Sequence, residues 1–348
     1  MKKILLFLIN FIPFKKYRKI CRKKLEKPQT QISDFYGKIY MPYYPDVKFS
    51  DDRPEIYNKN GQRMEIFFIR DLIGCHCPYL DSSKYFLWDR FNIGLDTHFY
   101  THSAILETMG RPTHKYALFT ESESIIPDDY KIFETHKGIE KDFDAVFTYS
   151  EKLLNTLDNA KFFPACATVW YGKEYYNGVK DSTMLSPNVY LEKTKNLSMI
   201  CSAKLLTEMH KIRHRFAGEF MKTGKVDIFG GFKDGKYFDY KSKTLKNYRF
   251  QVVIENDIAS YYFTEKILDC FASMTIPVYL GAGKIDEFFN PNGIIKINKN
   301  TSIDEILKIC TEEEYEKRLD AVKENFQKVL KYTNISNLLY ETYFLEKQ

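Results

Sequence analysis

The sequence predicts an α/β fold on mainly parallel sheet, and two observations carry that prediction. From Met64 onward, short apolar runs alternate with amphipathic or loop stretches. After a turn-rich break that begins near residue 172 the same alternation starts again. At 348 residues the chain has room for two domains, and 44% hydrophobic with 28% charged residues suits a globular protein with ample core.

In chain order, MEIFFI, THFYTHS, KYALFT, AVFTYS and KFFPACATVW read as strands. SEKLLNTL reads as a helix with Ser150 as its N-cap. Residues 172–196, rich in Gly, Asn, Ser and Pro, lose the rhythm and suit a linker. LSMICSA then reads as a strand, LLTEMHKIRHRFAGEFMKTG as a helix closed by Gly224, and VDIFG as the next strand. FQVVIEN, a helix from Thr264, IPVYLG and GIIKI complete this second run. From Ser302 the pattern is helical, with Ile303, Ile306 and Leu307 on one face. The expected division is 1–27 as a basic amphipathic segment, 28–175 as an N-terminal α/β domain and 176–196 as linker. Residues 197–330 form a C-terminal α/β domain and 331–348 a helical tail. Open parallel sheets bind ligands beyond the carboxyl ends of their strands, so site residues are expected on loops that follow strands.

The net charge of +6 belongs to one end. Residues 1–27 hold ten Lys/Arg against one Glu, a net of +9, so the remaining 321 residues carry −3. A nucleic-acid-binding body is thereby disfavoured. The apolar run Ile4–Phe14 is shorter than the roughly 20 residues a membrane span needs. KKYRKICRKK follows it where a signal peptide would carry small residues. Leu5, Phe7, Leu8, Phe11, Ile12 and Phe14 beside that basic cluster fit an interfacial anchor on anionic lipid; a frayed basic terminus is the plain alternative. Of seven cysteines only Cys75 and Cys77 cluster, around His76, and buried thiols account for them better than zinc. Asp142-Phe143-Asp144 has a spacing used by some metal sites but is frequent by chance, and the sequons at Asn196, Asn300 and Asn334 matter only in a secreted protein. The 16% aromatic content fits sugar handling and aromatic cores equally.

The segment Phe250–Gly281 sets polar residues between two core strands. Glu255 and Asn256 follow FQVVI, and Thr264 suits the N-cap of EKILDCFAS. Lys266 in that helix's first turn opposes the positive helix end, a conflict that a bound phosphate would remove. Arg213, in HKIRHRF, is either a forked phosphate ligand or one charge on a solvated helix face. In KYALFTESESIIPDD, Glu121 and Glu123 come directly after a strand, where a general base would face the cleft.

Together these residues resemble the α-1,3-fucosyltransferases of glycosyltransferase family 10. The likeness runs through NYRFQVVIENDIASYYFTEKILDCFASMTIPVYLG at Glu255, Asn256, Tyr262, Thr264, Glu265, Lys266, Pro277, Val278, Leu280 and Gly281. Arg213 with its spacing to Val226-Asp227 and Gly230, and TESESIIPDD, are similar more loosely. Before Met64 there is no likeness. Ile254 stands where an aromatic is usual, and Asp257 where Ser is common.

The resemblance implies a GT-B fold, two facing Rossmann-like domains with a cleft between them. It implies an inverting transferase that moves fucose from GDP-fucose to a saccharide hydroxyl, α-1,3 to a GlcNAc-type residue, with no obligatory metal. Arg213, Asn256, Tyr262, Glu265 and Lys266 would bind the donor, with Glu123, alternatively Glu121, as catalytic base. The N-terminal domain would then face the acceptor, a saccharide or lipid-linked glycan in bacterial surface-glycan or lipopolysaccharide synthesis. The basic segment suggests a cytoplasmic enzyme, peripheral on the inner face of the bacterial membrane. Another nucleotide deoxysugar or hexose donor, or a non-catalytic glycan- or nucleotide-binding relative, are the alternative readings.

Overall fold

A computed structural model describes residues 64–71, 83–90, 92–165, 168–171 and 192–345. The basic segment 1–27, the Cys75-His76-Cys77 cluster and most of the linker lie outside the described residues. Two sheets, parallel at every pairing, organise what is described. The α/β expectation therefore holds.

The first sheet comprises β1 (Glu65–Arg70), β2 (Phe86–Asp89), β3 (Thr97–Thr101), β4 (His114–Phe119), β5 (Ala145–Thr148) and β6 (Ala160–Phe162). Their spatial order is β2-β1-β3-β4-β5-β6. The second comprises β7 (Lys195–Ile200), β8 (Asp227–Phe229), β9 (Tyr248–Ile254), β10 (Ile276–Leu280) and β11 (Ile295–Lys296), in the order β11-β10-β9-β7-β8. Each sheet reverses its winding at one place, between β1 and β3 in the first and between β7 and β9 in the second. A crevice opens at such a switch point, beyond the carboxyl ends of the two strands.

Strands buried on both faces need near-continuous apolar sequence, and β9 supplies it as YRFQVVI. One face of the second sheet packs Met199, Val252 and Val278 against Phe216 and Phe220 of α2 (Glu208–Thr223). The other packs Val253 and Tyr279 against Ile267, Leu268 and Phe271 of α4 (Glu265–Ala272). Between them in sequence lies the short α3 (Ser242–Leu245), and α1 (Glu151–Thr156) follows β5 in the first half. The chain ends by returning: Ile335, Leu339 and Tyr340 of α5 (Ile335–Tyr343) join Phe67, Phe86 and Phe99 under the first sheet. Trp88 Nε1 there donates to Ser336 Oγ at 2.9 Å. Much of the aromatic content is thus core.

Several elements differ from the sequence expectation. β2 is four buried residues between loops, too short a run to stand out by periodicity. KFFPACATVW gives only the three-residue β6, because Pro164 has no N–H to continue a ladder. Ser150 occupies the N-cap position of α1 but makes no capping bond with its side chain. α2 begins at Glu208, capped by Thr207, and leaves Leu205 and Leu206 exposed in the preceding loop. The helical end divides into Ile303–Ile309, Glu312–Lys317, Leu319–Val329 and α5. Cys201, Cys270 and Cys310 are buried and free.

Candidate functional site

At the second sheet's switch point, the last carbonyl of β9 belongs to Ile254 and the next two residues are Glu255 and Asn256. Arg213, expected either on a solvated face or as a ligand, is buried on α2. Its Nε donates to the Ile254 carbonyl at 3.0 Å, and its Nη2 bonds both that carbonyl and Asn256 Oδ1, the latter at 3.0 Å. The solvated-face alternative is therefore wrong. These bonds use three of the five guanidinium N–H groups; the Nη1 pair hydrogen-bonds no described residue. Asn256 is fixed a second time, its carbonyl accepting from Thr207 Oγ1 at 3.1 Å. Thr207 caps α2, so the start of that helix is tied directly to the end of β9.

Glu255 is fully buried and reaches across to the start of α4. Its carboxylate accepts from the Thr264 N–H at 3.0 Å and from the Thr264 hydroxyl at 2.7 Å, and its Oε2 lies 3.3 Å from Lys266 Nζ. Gly281 is required alongside: a Cβ there would stand 2.6 Å from Glu255 Cγ and 2.3 Å from Tyr279 Oη. Lys266 Nζ also donates to Thr264 Oγ1 at 3.0 Å and pairs with Glu265 Oε1 at 3.3 Å. Two carboxylates thus reconcile Lys266 with the helix N-terminus, and no phosphate is needed for that purpose. Burial pulls the Lys266 pKa down, but Glu265 and Glu255 outweigh it and raise it. For Glu265 burial pushes up, yet Lys266 and Lys241 hold the carboxyl down at about 2.

Tyr262 is buried rather than open to the crevice. Its ring lies 5.0 Å from that of Tyr149, which follows β5 of the first sheet, and it packs among first-sheet residues such as Phe119 and Val146. The carboxyl ends of the two sheets are joined here. Ser124 N donates to Asp257 Oδ2 at 3.3 Å, and Lys284 Nζ lies 2.8 Å from Glu151 Oε1 at the start of α1.

The turn after β4 carries both candidate bases, and they are held differently. Glu121 Oε1 accepts from the Ser122 N–H at 2.7 Å, while its own carbonyl accepts from Tyr130 Oη at 2.7 Å. Glu123 is fixed through its backbone N–H, which donates to Tyr149 Oη at 2.8 Å. Its half-buried carboxylate makes no hydrogen bond or ion pair with any described residue. His102, in the left-handed region at φ 52° and fully buried, braces the turn from below. Its Nε2 accepts from the Thr120 and Glu121 N–H groups, both at 3.2 Å.

The Asp142–Asp144 spacing leads elsewhere. Asp144 Oδ2 accepts from the Lys115 N–H at 3.1 Å and contacts His114 Nδ1 at the same distance, at the amino ends of β4 and β5. That is the opposite end of the sheet from Glu123. Among the described residues no group of three or more His, Cys, Asp or Glu is placed to hold a metal. No described helix is long and apolar enough to cross a membrane.

Lys241 and Asp269 are not among the site residues expected from sequence, and Glu255 is expected there without a role. Glu255 had a signal, as the first polar residue beyond a core strand. Lys241 had none, being one lysine among the three in KSKTLK.

Two parallel α/β sheets are the arrangement of the GT-B fold, and a buried arginine and two helix N-termini stand at the switch point of the second. Residues 191–343 match the family described as glycosyltransferase family 10 (fucosyltransferase), C-term. It is 29% identical over 106 residues to the alpha-(1,3)-fucosyltransferase FucT of Helicobacter pylori, covering 30% of this chain and 21% of that protein. It is 30% identical over 73 residues to an alpha-(1,4)-fucosyltransferase of Arabidopsis thaliana, covering 21% of this chain and 18% of that one. The aligned segments thus span about a fifth of each of those relatives. A crystal structure of an alpha1,3-fucosyltransferase with GDP-fucose aligns at 18% identity and a TM-score of 0.44, over 77% of this chain and 88% of that one.

Proposed function

We propose that the protein is an inverting glycosyltransferase that moves fucose from GDP-fucose to a saccharide hydroxyl, α-1,3 on a GlcNAc-type acceptor. Glu123 takes the proton of the acceptor hydroxyl, whose oxygen bonds to the anomeric carbon. The bond from that carbon to the β-phosphate oxygen breaks, and GDP leaves with the electron pair. The Arg213 Nη1 donors and the N-termini of α2 and α4 meet the charge growing on the diphosphate. Asn256 and Glu265 orient the donor, and Lys266 acts chiefly by holding Glu265 and Glu255 in place. Tyr262 contributes by seating the 257–262 segment against Tyr149, so its effect on the donor passes through that segment.

One observation carries this reading. The turn bearing the unpaired Glu123 carboxylate is tied, at the carboxyl ends of both sheets, to the segment bearing the donor residues. The donor assignment also draws on the family and on the named activities of the relatives. Residues 1–27 are proposed as the contact with an anionic inner membrane face, which suits a lipid-linked acceptor in surface-glycan or lipopolysaccharide synthesis.

The test is a panel of nucleotide sugars with purified protein and a soluble GlcNAc-containing acceptor. Transfer from GDP-fucose is expected, with Glu123→Gln reducing kcat by about 100-fold or more and Glu121→Gln having a much smaller effect. Transfer from a different donor only, or an active Glu123→Gln, would sink the respective part of the proposal. Removing residues 1–27 is expected to abolish sedimentation with anionic vesicles while soluble-acceptor transfer persists; vesicle binding by the shortened chain would refute the anchor.

A further inference from the structure

We propose that Lys241 is a positioning residue of the donor site, holding the Glu265 carboxylate ionised and in place from outside the family signature. It rests on the fucosyl-transfer reading only for the identity of the sugar that Glu265 meets.

Lys241 stands at the N-cap position of α3, at the end of the loop that leaves β8. Its ammonium is mostly buried and reaches α4, where Glu265 and Asp269 are one turn apart. It lies 2.5 Å from Asp269 Oδ2 and 3.8 Å from Glu265 Oε1, and 5.6 Å from the centre of the Trp170 ring. Asp269 is itself held, its Oδ1 accepting the N–H groups of Trp170 at 2.6 Å and Tyr171 at 2.7 Å. Two segments distant in sequence, 170–171 and the loop that ends at Lys241, are thereby pinned to the first turns of α4.

Charge explains why such a residue is needed. Glu265 is flanked by Lys266 on its own helix and by Lys241 from the β8 loop. Arg213 on α2 adds a weaker positive influence, and Asp269 is the nearby like charge. Lys266 is shared with the buried Glu255, so it cannot neutralise Glu265 alone. Arg213, Lys266 and Lys241 alternate with Glu255, Glu265 and Asp269, three cations against three anions. Removing Lys241 leaves two carboxylates of α4 facing each other with one shared cation between Glu255 and Glu265. A half-buried carboxylate in that setting drifts toward its neutral form, which can no longer accept two hydrogen bonds from a sugar.

The test is the titration of Glu265 by carboxyl-carbon NMR, its signal identified by its absence in Glu265→Gln, in parallel with donor kinetics. In wild type the carboxyl stays ionised across the mildly acidic range. In Lys241→Met it should titrate near the ordinary glutamate value, and Lys241→Arg should restore the wild-type curve. Lys241→Gln, which can still donate to Asp269, gives the same neutralisation if Lys241→Met is unstable. Donor KM should rise about tenfold in the neutral variants with kcat nearly unchanged, the loss growing as pH falls toward ~5. A Glu265 titration unchanged by Lys241→Met or Lys241→Gln overturns the assignment, as does a loss confined to kcat. The NMR result does not depend on the donor. A shifted Glu265 in an enzyme that uses another nucleotide sugar would support Lys241 and overturn the fucose reading alone.

Discussion

Arg213 is a buried scaffold residue that, in the proposed function, also serves as a ligand. Burying a guanidinium is costly unless its donors are used, and here the Ile254 carbonyl and the Asn256 side chain use three of them. The remaining Nη1 donors are the part a diphosphate can meet. Arg213→Lys keeps the charge but cannot span Ile254 and Asn256 as a fork. Donor binding by calorimetry should weaken at least tenfold, with a stability loss of about 1–3 kcal/mol from the partners left unpaired. Arg213→Met should lose similar stability and more affinity. Equal affinity in Arg213→Lys and wild type would show that the fork has no part in donor binding. The neighbouring lysine illustrates the limit of charge reasoning at this scale. From sequence, Lys266 at a helix N-terminus looks like a vacancy for phosphate; in the structure Glu255, nine residues before the N-cap Thr264, supplies the anion from the adjacent strand end.

At the scale of the element, the start of α2 is a pH-sensitive joint. His210 Nδ1 accepts the Thr207 N–H at 3.2 Å, completing a reciprocal cap with the Thr207 hydroxyl. Burial lowers the imidazole pKa, with help from Arg213 and Lys266, from 6.5 to about 4. A folded-state value below the unfolded one means that the fold favours the neutral ring. The contribution is full above pH 6.5 and is lost as pH falls through about 4, because a protonated Nδ1 cannot accept. Amide exchange over residues 207–213 should therefore accelerate across that window, and His210→Gln should flatten the dependence. Exchange insensitive to pH in wild type would refute the joint.

Element existence was legible where the chemistry is local. The cap at Thr264, the apolar run of β9 and Gly224 after α2 each act within a few residues, and all stand where sequence predicts. What stayed hidden depends on partners far along the chain. β2 is a strand because β1 lies beside it, α5 is placed by the aromatic cluster under the first sheet, and Lys241 matters through helix α4. The same division runs through the site. The placement of Glu123 and Asn256 just after strands could be read from sequence, whereas the burial of Arg213 and Tyr262 could not.

At the scale of the whole described fold, the segment 257–262 is what couples the half bearing Glu123 to the half bearing the proposed donor residues. The ion pair beside it is exposed enough to contribute little: Lys284 and Glu151 are each about two-fifths exposed, and pairs of that kind are worth ~1 kcal/mol or less. The apolar contact is different in kind. Tyr262 comes from the second half, is 1% exposed, and fills space among the first half's residues beside Tyr149. Tyr149 in turn receives the Glu123 N–H, so the ring that seats the segment also seats the proposed base. Tyr262→Ala should therefore cost about 3–5 kcal/mol of stability by leaving a cavity. It should also lower kcat more than Glu151→Ala does, although Glu151 makes the shorter polar contacts. Tyr149→Phe isolates the catalytic component: the packing ring remains, the acceptor for the Glu123 N–H is gone, and kcat should fall with donor KM nearly unchanged. Thermal melts and steady-state kinetics on the three variants decide it. A Tyr262→Ala protein that melts and turns over like wild type would mean that the two halves are aligned by some other contact.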